Sequence, residues 1–298
     1  MRVFVTGATG FIGAAVVREL LDAGHQVLGL ARSDASAAAL TATGAEVHRG
    51  TLEDLDSLRA GAASADGVIH TAFIHDFSDF HTSVAVDLRA VETIAQALAG
   101  TDRPLVISSG TPGVAGGTAT EDTIPAPGTP AAARGGAEEA VLAFADRGVH
   151  GSVVRLPRSV HGEGDRHGFV PRLIDIARER GVSAYPGDGA NAWPAVHRLD
   201  AALLYRLALE QAPAGGLLHA VGDEGIPVRQ IAERIGGHLN LPVASIPVEH
   251  AAEHFGWLGP IFAMDAPASS ALTQKLMEWH PARPGLLADL DAGHYFTH

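Results

Sequence analysis

Thr6-Gly7-Ala8-Thr9-Gly10-Phe11-Ile12-Gly13 lies between a short apolar run, Arg2–Thr6, and a helical pattern over Ile12–Ala23. The spacing of the glycines carries a physical meaning. One lets the chain turn sharply, one lets backbone approach a pyrophosphate, and one lets the following helix pack tightly on a sheet. The helix start then offers unpaired N–H groups and partial positive charge to an anion. A glycine triplet can also be a tight turn with no ligand. Here it stands between strand and helix, at the start of a βαβ unit, and that context points to a dinucleotide.

Reading outward, apolar runs recur at Gln26–Ala31, Glu46–Arg49, Gly67–Thr71, Pro104–Ser108 and Gly151–Leu156. They are rich in β-branched residues and nearly continuous, as strands covered on both faces should be. Helical patterns at Ile12–Ala23, Val84–Ala99 and Ala137–Arg147 lie among them. The alternation predicts an α/β fold of Rossmann type, a doubly wound parallel sheet. After Pro157 it loosens. Helical segments are expected at Val170–Arg180, Leu199–Gln211, Val228–Leu239 and Ser269–Glu278, with short strands at Ala195–Arg198 and Leu217–Ala220. The chain thus divides into a dinucleotide-binding part, 1–156, to which 191–221 is expected to return, and a smaller mixed α/β substrate-binding region in 157–298. Gly110–Ala133 reads as one long loop, a length usually reserved for function or motion.

Composition narrows the possibilities. The chain has 298 residues, 46% hydrophobic and 18% charged, which suits a globular protein with a large core. It has no cysteine, so disulfides, thiolate metal sites and a cysteine nucleophile are excluded. That absence fits a cytoplasmic location. The net charge of −13, with no basic run, speaks against a nucleic-acid partner. No run reaches the roughly 18 apolar residues of a membrane helix. Met1-Arg2 and the apolar residues after them resemble the start of a signal peptide, but Gly7, Thr9 and Gly10 break the run, so a buried strand and turn are expected.

The second strand ends Leu30-Ala31-Arg32-Ser33. NAD sites usually place a carboxylate here, on the ribose hydroxyls; a guanidinium instead pairs with a 2′-phosphate. Arg32 with Ser33 favours NADP(H). Asp34 keeps NAD(H) as the lesser alternative, and a solvated Arg32 is the other reading.

At this point the sequence resembles the extended, atypical short-chain dehydrogenase/reductase superfamily, the group of NAD-dependent epimerases and dehydratases. The resemblance rests on residues 6–13, on Val68-Ile69-His70-Thr71-Ala72 and Val106-Ile107-Ser108-Ser109, and on Arg155-Leu156-Pro157 with Ser159-Val160-His161-Gly162-Glu163-Gly164-Asp165. It extends to Val196-His197-Arg198-Leu199-Asp200-Ala201-Ala202. It implies that Thr6, Gly7, Thr9, Gly10, Phe11, Ile12 and Gly13 hold the cofactor, with Arg32 and Ser33. Leu52 would pack near adenine, Thr71, Ala72 and Phe73 would line phosphates and ribose, and Pro157, Ser159 and Val160 would lie near the nicotinamide. The helix position often held by Asn in the family is Asp87. A homodimer through Val84–Ala99 and Ala137–Arg147 is also implied.

One departure matters. The family's acid is the tyrosine of Tyr-x-x-x-Lys, whose lysine lowers the tyrosine pKa. This chain has a single lysine, Lys275, and three tyrosines, Tyr185, Tyr205 and Tyr295; no such pair exists. On the corresponding helix, Ala132 stands at the tyrosine position and Gly136 at the lysine position. Thr111 matches within one residue the family's carbonyl-polarising hydroxyl, or else caps a turn; Ser109 is the second choice. Histidines are natural substitute acids. His75, beside Asp76, follows the fourth strand; His161 replaces a tyrosine common in the family and should flank the substrate; His81 is a third candidate. His197 reads as structural, with Asp200 starting its helix. His161 and His167, with Glu163 and Asp165, read as a solvated loop rather than a metal site, so no metal is expected.

Phe77, Phe80, Tyr185 and Trp193 would give an aromatic substrate pocket. Arg158, Arg166 and Arg172 are available for a diphosphate, but the aromatic lining favours an uncharged small molecule. The expected function is an NADPH-dependent reductase of a carbonyl, imine or activated alkene that works without the usual acid. The alternative is a catalytically idle NADP(H)-binding redox sensor or scaffold, and the third reading is a sugar-nucleotide epimerase or dehydratase.

Overall fold

In a computed structural model, whose described residues are 1–76, 79–114 and 116–297, the first half alternates strand and helix. The order is β1 (Arg2–Thr6), α1 (Phe11–Asp22), β2 (Gln26–Ala31), α2 (Asp34–Thr43), β3 (Glu46–Arg49), α3 (Leu55–Ala63), β4 (Gly67–His70), α4 (Phe80–Leu98), β5 (Pro104–Gly110), α5 (Pro130–Ala143) and β6 (His150–Leu156). Next come β7 (Ser159–His161), α6 (Phe169–Arg180), β8 (Ser183–Pro186), β9 (Ala192–His197), α7 (Arg198–Gln211) and β10 (Gly216–His219). The chain continues through β11 (Asp223–Pro227), α8 (Val228–Leu239), β12 (Val243–Ile246), α9 (Ala251–Phe255), α10 (Gly259–Phe262), α11 (Ala271–Met277) and α12 (Leu286–Asp291).

Seven strands form one parallel sheet in the order β10-β6-β5-β4-β1-β2-β3. Its two faces are covered by separate apolar layers. Val16, Leu20, Ile69 and Val106 pack with Leu204 and Trp279 on one side; Phe4, Val68 and Ile107 pack with Leu58, Ile94 and Val141 on the other. Strand order reverses between β1 and β4. In open α/β sheets the crevice at such a switch, outside the carboxyl ends of the strands, is the ligand site.

A second unit holds β11-β9-β7 and β12-β8. Its core gathers Trp193, Phe255, Phe262, Ile231 and Leu290. α7 and β10 return to the large sheet, α7 packing on α1. β9, expected to return with them, pairs with β7 and β11 instead.

Two helices begin where the sequence shows only loop. α2 buries Leu40 alone among its alanines and threonines, so its pattern has no apolar stripe. α5 starts at Pro130, seven residues before the expected start at Ala137, because the Thr129 hydroxyl accepts from the Ala132 amide and proline suits the first helical turn. The preceding loop is anchored rather than loose. The Ala119 amide donates to the Pro267 carbonyl (2.9 Å), and Glu121 Oε1 accepts from both the amide and the hydroxyl of Thr273. Among the described residues no helix is long and apolar enough to cross a membrane.

Candidate active site

The turn after β1 has the shape its glycines imply. Gly7 takes φ +66°, and a Cβ there would lie 2.7 Å from the Ala72 amide nitrogen. A Cβ on Gly13 would come within 2.0 Å of the Gly7 carbonyl oxygen. Gly10 differs: the Gly7 oxygen, at 3.2 Å, is the only described atom within 4 Å of its Cβ position. Its outer side is open. Gly10 also N-caps α1 without a side-chain hydrogen bond, so the first amides of that helix keep their donors free. These residues fit a dinucleotide. Gly7 and Gly13 close the turn, Gly10 gives access, and the amides of Phe11 and Ile12 at the helix start would hold the phosphates. Thr6 and Thr71 brace the turn: Thr71 Oγ1 donates to the Thr6 carbonyl (2.8 Å), and Thr6 Oγ1 meets His70 Nδ1 (2.9 Å). Thr9 is exposed beside Gly10, while Phe11 carries the Arg198 guanidinium 5.0 Å above its ring. Sequence reasoning did not assign Arg198 to the site.

At the end of β2, Arg32 is exposed and makes no hydrogen bond or ion pair to a described residue. Ser33 caps α2, its hydroxyl accepting from the Ser36 amide at 3.2 Å. Asp34 turns away to pair with Arg49. Leu52 is half-buried against the layer of Leu28, Leu30 and Leu58.

Beneath the crevice runs a connected polar chain. His70 Nε2 meets Asp87 Oδ1 (3.1 Å), and Arg134 Nη2 reaches Asp87 Oδ2 (3.5 Å) and donates to the Ser108 carbonyl (3.0 Å). The Ser108 hydroxyl lies 2.6 Å from the buried Tyr205 hydroxyl. The Arg134 guanidinium also lies 4.2 Å over the Phe73 ring. A cation of α5, two residues from both Ala132 and Gly136, therefore reaches beneath the crevice. Its sequence signal was one arginine between the loop read to Ala133 and the helical pattern read from Ala137.

Thr111 follows β5 and is 2% exposed. Its amide donates to the Leu156 carbonyl (2.8 Å), which ties it to β6, while its hydroxyl makes no hydrogen bond to a described residue. The buried Ser109 and Ser159 hydroxyls also lack partners among the described residues. Pro157, Ser159 and Val160 follow β6, at the same edge of the parallel sheet as the ends of β1, β4 and β5. His75 is exposed but stands edge-on to Phe73 at 5.3 Å. Partial desolvation, then the Arg134 charge, hold its pKa below the ordinary value. It is therefore neutral at neutral pH and a weak acid candidate there. Phe80 is half-buried, 6.1 Å from Phe73. Phe77 lies outside the described residues.

Three expectations are corrected. His161 is fully buried, with Nδ1 2.8 Å from Asp289 Oδ2 and its ring edge-on to His197, so no face of it is open to a substrate. Trp193 is wholly enclosed in the second core, against Phe169 and Phe262. Tyr185 lies on β8, with the Arg229 guanidinium 5.7 Å from its ring, rather than beside the crevice. His197 caps α7, accepting from the Leu199 amide, and Asp200 stands in the first turn of that helix as expected, where it also accepts from the amides of Ala282 and Arg283 and docks the C-terminal segment.

Comparison with known proteins agrees with this architecture. An uncharacterized protein of Schizosaccharomyces pombe is 50% identical over 299 residues, covering 99% of this chain and 100% of that one. A 2-alkyl-3-oxoalkanoate reductase of Stenotrophomonas maltophilia is 30% identical over 260 residues, 81% of this chain and 77% of that one. The crystal structure of a dTDP-glucose 4,6-dehydratase from Streptomyces venezuelae, with NAD and TYD bound, superposes with a TM-score of 0.79 over 98% of this chain and 96% of that one, at 20% identity. The family model for NAD dependent epimerases and dehydratases matches residues 3–220. The chain belongs to the NAD dependent epimerase/dehydratase family.

Proposed function

We propose that this protein is an NADPH-dependent reductase of a small carbonyl, imine or activated alkene. The observation that carries the proposal is the open, uncapped glycine turn at the β1/β4 switch, with the Thr111 hydroxyl, unbonded to any described residue, at a neighbouring strand end. When bound, a reduced nicotinamide supplies a hydride; orientation and proton handling fall to the chain. Thr111 donates to the acceptor oxygen as negative charge builds there. Ser109 and Ser159 stand ready as further donors. His75 does not serve as the main acid at neutral pH, so the proton comes from water, and placement supplies much of the rate. A homodimer through α4 and α5 belongs to the same reading.

The second reading, a catalytically idle NADP(H)-binding sensor, rests on the alanine and glycine at the family's tyrosine and lysine positions. A panel of ketones, aldehydes, imines and enones, followed by NADPH absorbance, separates the two. Turnover is expected, and Thr111→Val is expected to lower kcat about 100-fold with little change in KM. Tight NADPH binding with no oxidation across the panel favours the idle reading. The sign of the pH dependence is fixed: catalysis through protonated His75 would rise only as pH falls below 6.5, whereas a flat profile above that value is expected for water.

Cofactor choice has its own test. Arg32→Ala is expected to weaken NADPH about 30-fold and NADH less than about threefold, because one charge-assisted pairing with the 2′-phosphate is lost. Equal losses in fluorescence titrations would remove the 2′-phosphate assignment.

A further inference from the structure

Arg158 is the residue whose environment the reductase reading leaves unexplained. It follows β6 inside the segment Pro157–Val160, beside the proposed nicotinamide position. It is half-buried, yet no carboxylate of the described residues meets it. Its one hydrogen bond among the described residues runs from Nη2 to the Met264 thioether sulfur, at 3.1 Å. Its Nε–H is shielded from solvent and has no acceptor among the described residues. Asp265, the acid adjoining that sulfur in sequence, gives its carboxylate to the Ala192 amide instead (2.7 Å). Burial alone lowers the Arg158 pKa, with no opposing charge to offset it. A guanidinium stays protonated in any protein, and an unpaired charge held partly out of water is unfavourable unless something compensates it.

Arg166 and Arg172, the other two arginines available for an anion in this half of the chain, differ. Arg166 is exposed, and Arg172 pairs with Glu179 at 3.2 Å. Arg158 also lies close to the segment that follows Thr111. A Cβ on Gly113 would stand 3.7 Å from its Nη2, and Gly113 is two residues beyond Thr111. Thr111 in turn is bonded through its amide to Leu156, two residues before Arg158. The segments 111–113 and 156–158 thus run side by side, bringing a hydroxyl and a guanidinium, each without a carboxylate partner among the described residues, to one end of the crevice.

Resting on the reductase reading, we infer that the substrate is an oxo acid whose carboxylate pairs with Arg158 while its carbonyl oxygen faces Thr111. This replaces the uncharged substrate expected from the aromatic residues, two of which lie away from the crevice. A planar fork of N–H donors matches a carboxylate and fixes which end of the molecule faces the hydroxyl.

The test pairs oxo acids of four to eight carbons with their methyl esters, which keep the shape and lose the charge. In the wild-type protein with NADPH, the acids are expected to show kcat/KM about 100-fold above the esters. In Arg158→Leu that preference collapses, chiefly through KM; Arg158→Lys retains part of it, and Arg166→Leu leaves it intact. Calorimetry gives a readout independent of turnover. An oxo acid should bind the wild-type protein with NADP⁺ present at least about tenfold more tightly than it binds Arg158→Leu. The melting temperature of Arg158→Leu should equal or exceed that of the wild type, since an uncompensated charge has gone; a merely structural arginine would give a fall. Esters reduced as well as acids, or an acid preference that survives Arg158→Leu, overturn the inference and leave the reductase reading standing. Acid binding that depends on Arg158 without NADPH oxidation supports the anion site and overturns the reductase reading. Acid that binds both proteins equally overturns the inference whatever the turnover.

Discussion

Gly13→Ala is expected to abolish measurable NADPH binding, weakening it more than about 100-fold, and to destabilise the fold by about 3 kcal/mol. The new methyl carbon would lie 2.0 Å from the Gly7 carbonyl oxygen, 2.7 Å from its carbon and 2.9 Å from the Thr71 hydroxyl. The two nearest are backbone atoms, and the Thr71 hydroxyl is held by its bond to the Thr6 carbonyl. Relief requires α1 to move off the sheet or the Gly7 turn to open. Either displaces the amides at the start of α1, and the Thr71-to-Thr6 bond is strained with them. Gly24→Ala is the useful contrast, since Gly24 has open space around it and its cost comes only from φ +84°. Fluorescence titration with NADPH and thermal unfolding of both variants check the claim. Native NADPH affinity in Gly13→Ala would mean that the turn is not where the cofactor sits.

Glu138→Ala is expected to cost about 3–5 kcal/mol, because it leaves a buried arginine without its counter-ion. Arg155 on β6 is 3% exposed and Glu138 on α5 is 5% exposed. The arginine Nε meets both carboxylate oxygens at 3.1 and 3.2 Å, and Nη2 meets Oε2 at 2.7 Å. The other end of the guanidinium donates to the Glu121 and Thr123 carbonyls, each at 3.1 Å. One ion pair thereby fastens β6, the helix that carries Arg134, and the loop between β5 and α5. The melting temperature should fall by about 10 °C. Glu138→Gln keeps hydrogen-bonding capacity and should lose less. A Glu138→Ala protein that melts with the wild type would show that this pair does not hold the loop.

The large sheet was legible because its strands are buried on both faces and read as unbroken apolar runs. The turn was legible because close backbone approach leaves no room for a side chain at Gly7 and Gly13, and their spacing with Gly10 stands out between strand and helix. α2 was silent because one leucine makes no periodic stripe. α5 was half-hidden because Ala132 to Gly136 has loop-like composition, and the Thr129 cap reveals the helix only once its start is known. The histidines and aromatics show where type misleads. His161 finds its partner in Asp289, 128 residues away, and Trp193 finds Phe262; neither pairing leaves a trace in local sequence. Arg134 and Arg158 are the converse. Their importance lies in what surrounds them, an aromatic ring and a carbonyl for one and no carboxylate for the other, and that is settled only by tertiary packing.

Hydride transfer itself can be followed directly. The wild-type protein is incubated with NADPH deuterated at the nicotinamide C4 and with the best oxo acid of the panel, and the product is analysed by mass spectrometry and proton NMR. One deuterium on the carbon that was the carbonyl carbon, with NADP⁺ formed in equal amount, is the expected result. Unlabelled product, or cofactor that remains bound and unconsumed, would contradict a reductase and leave a protein that holds NADPH without using it.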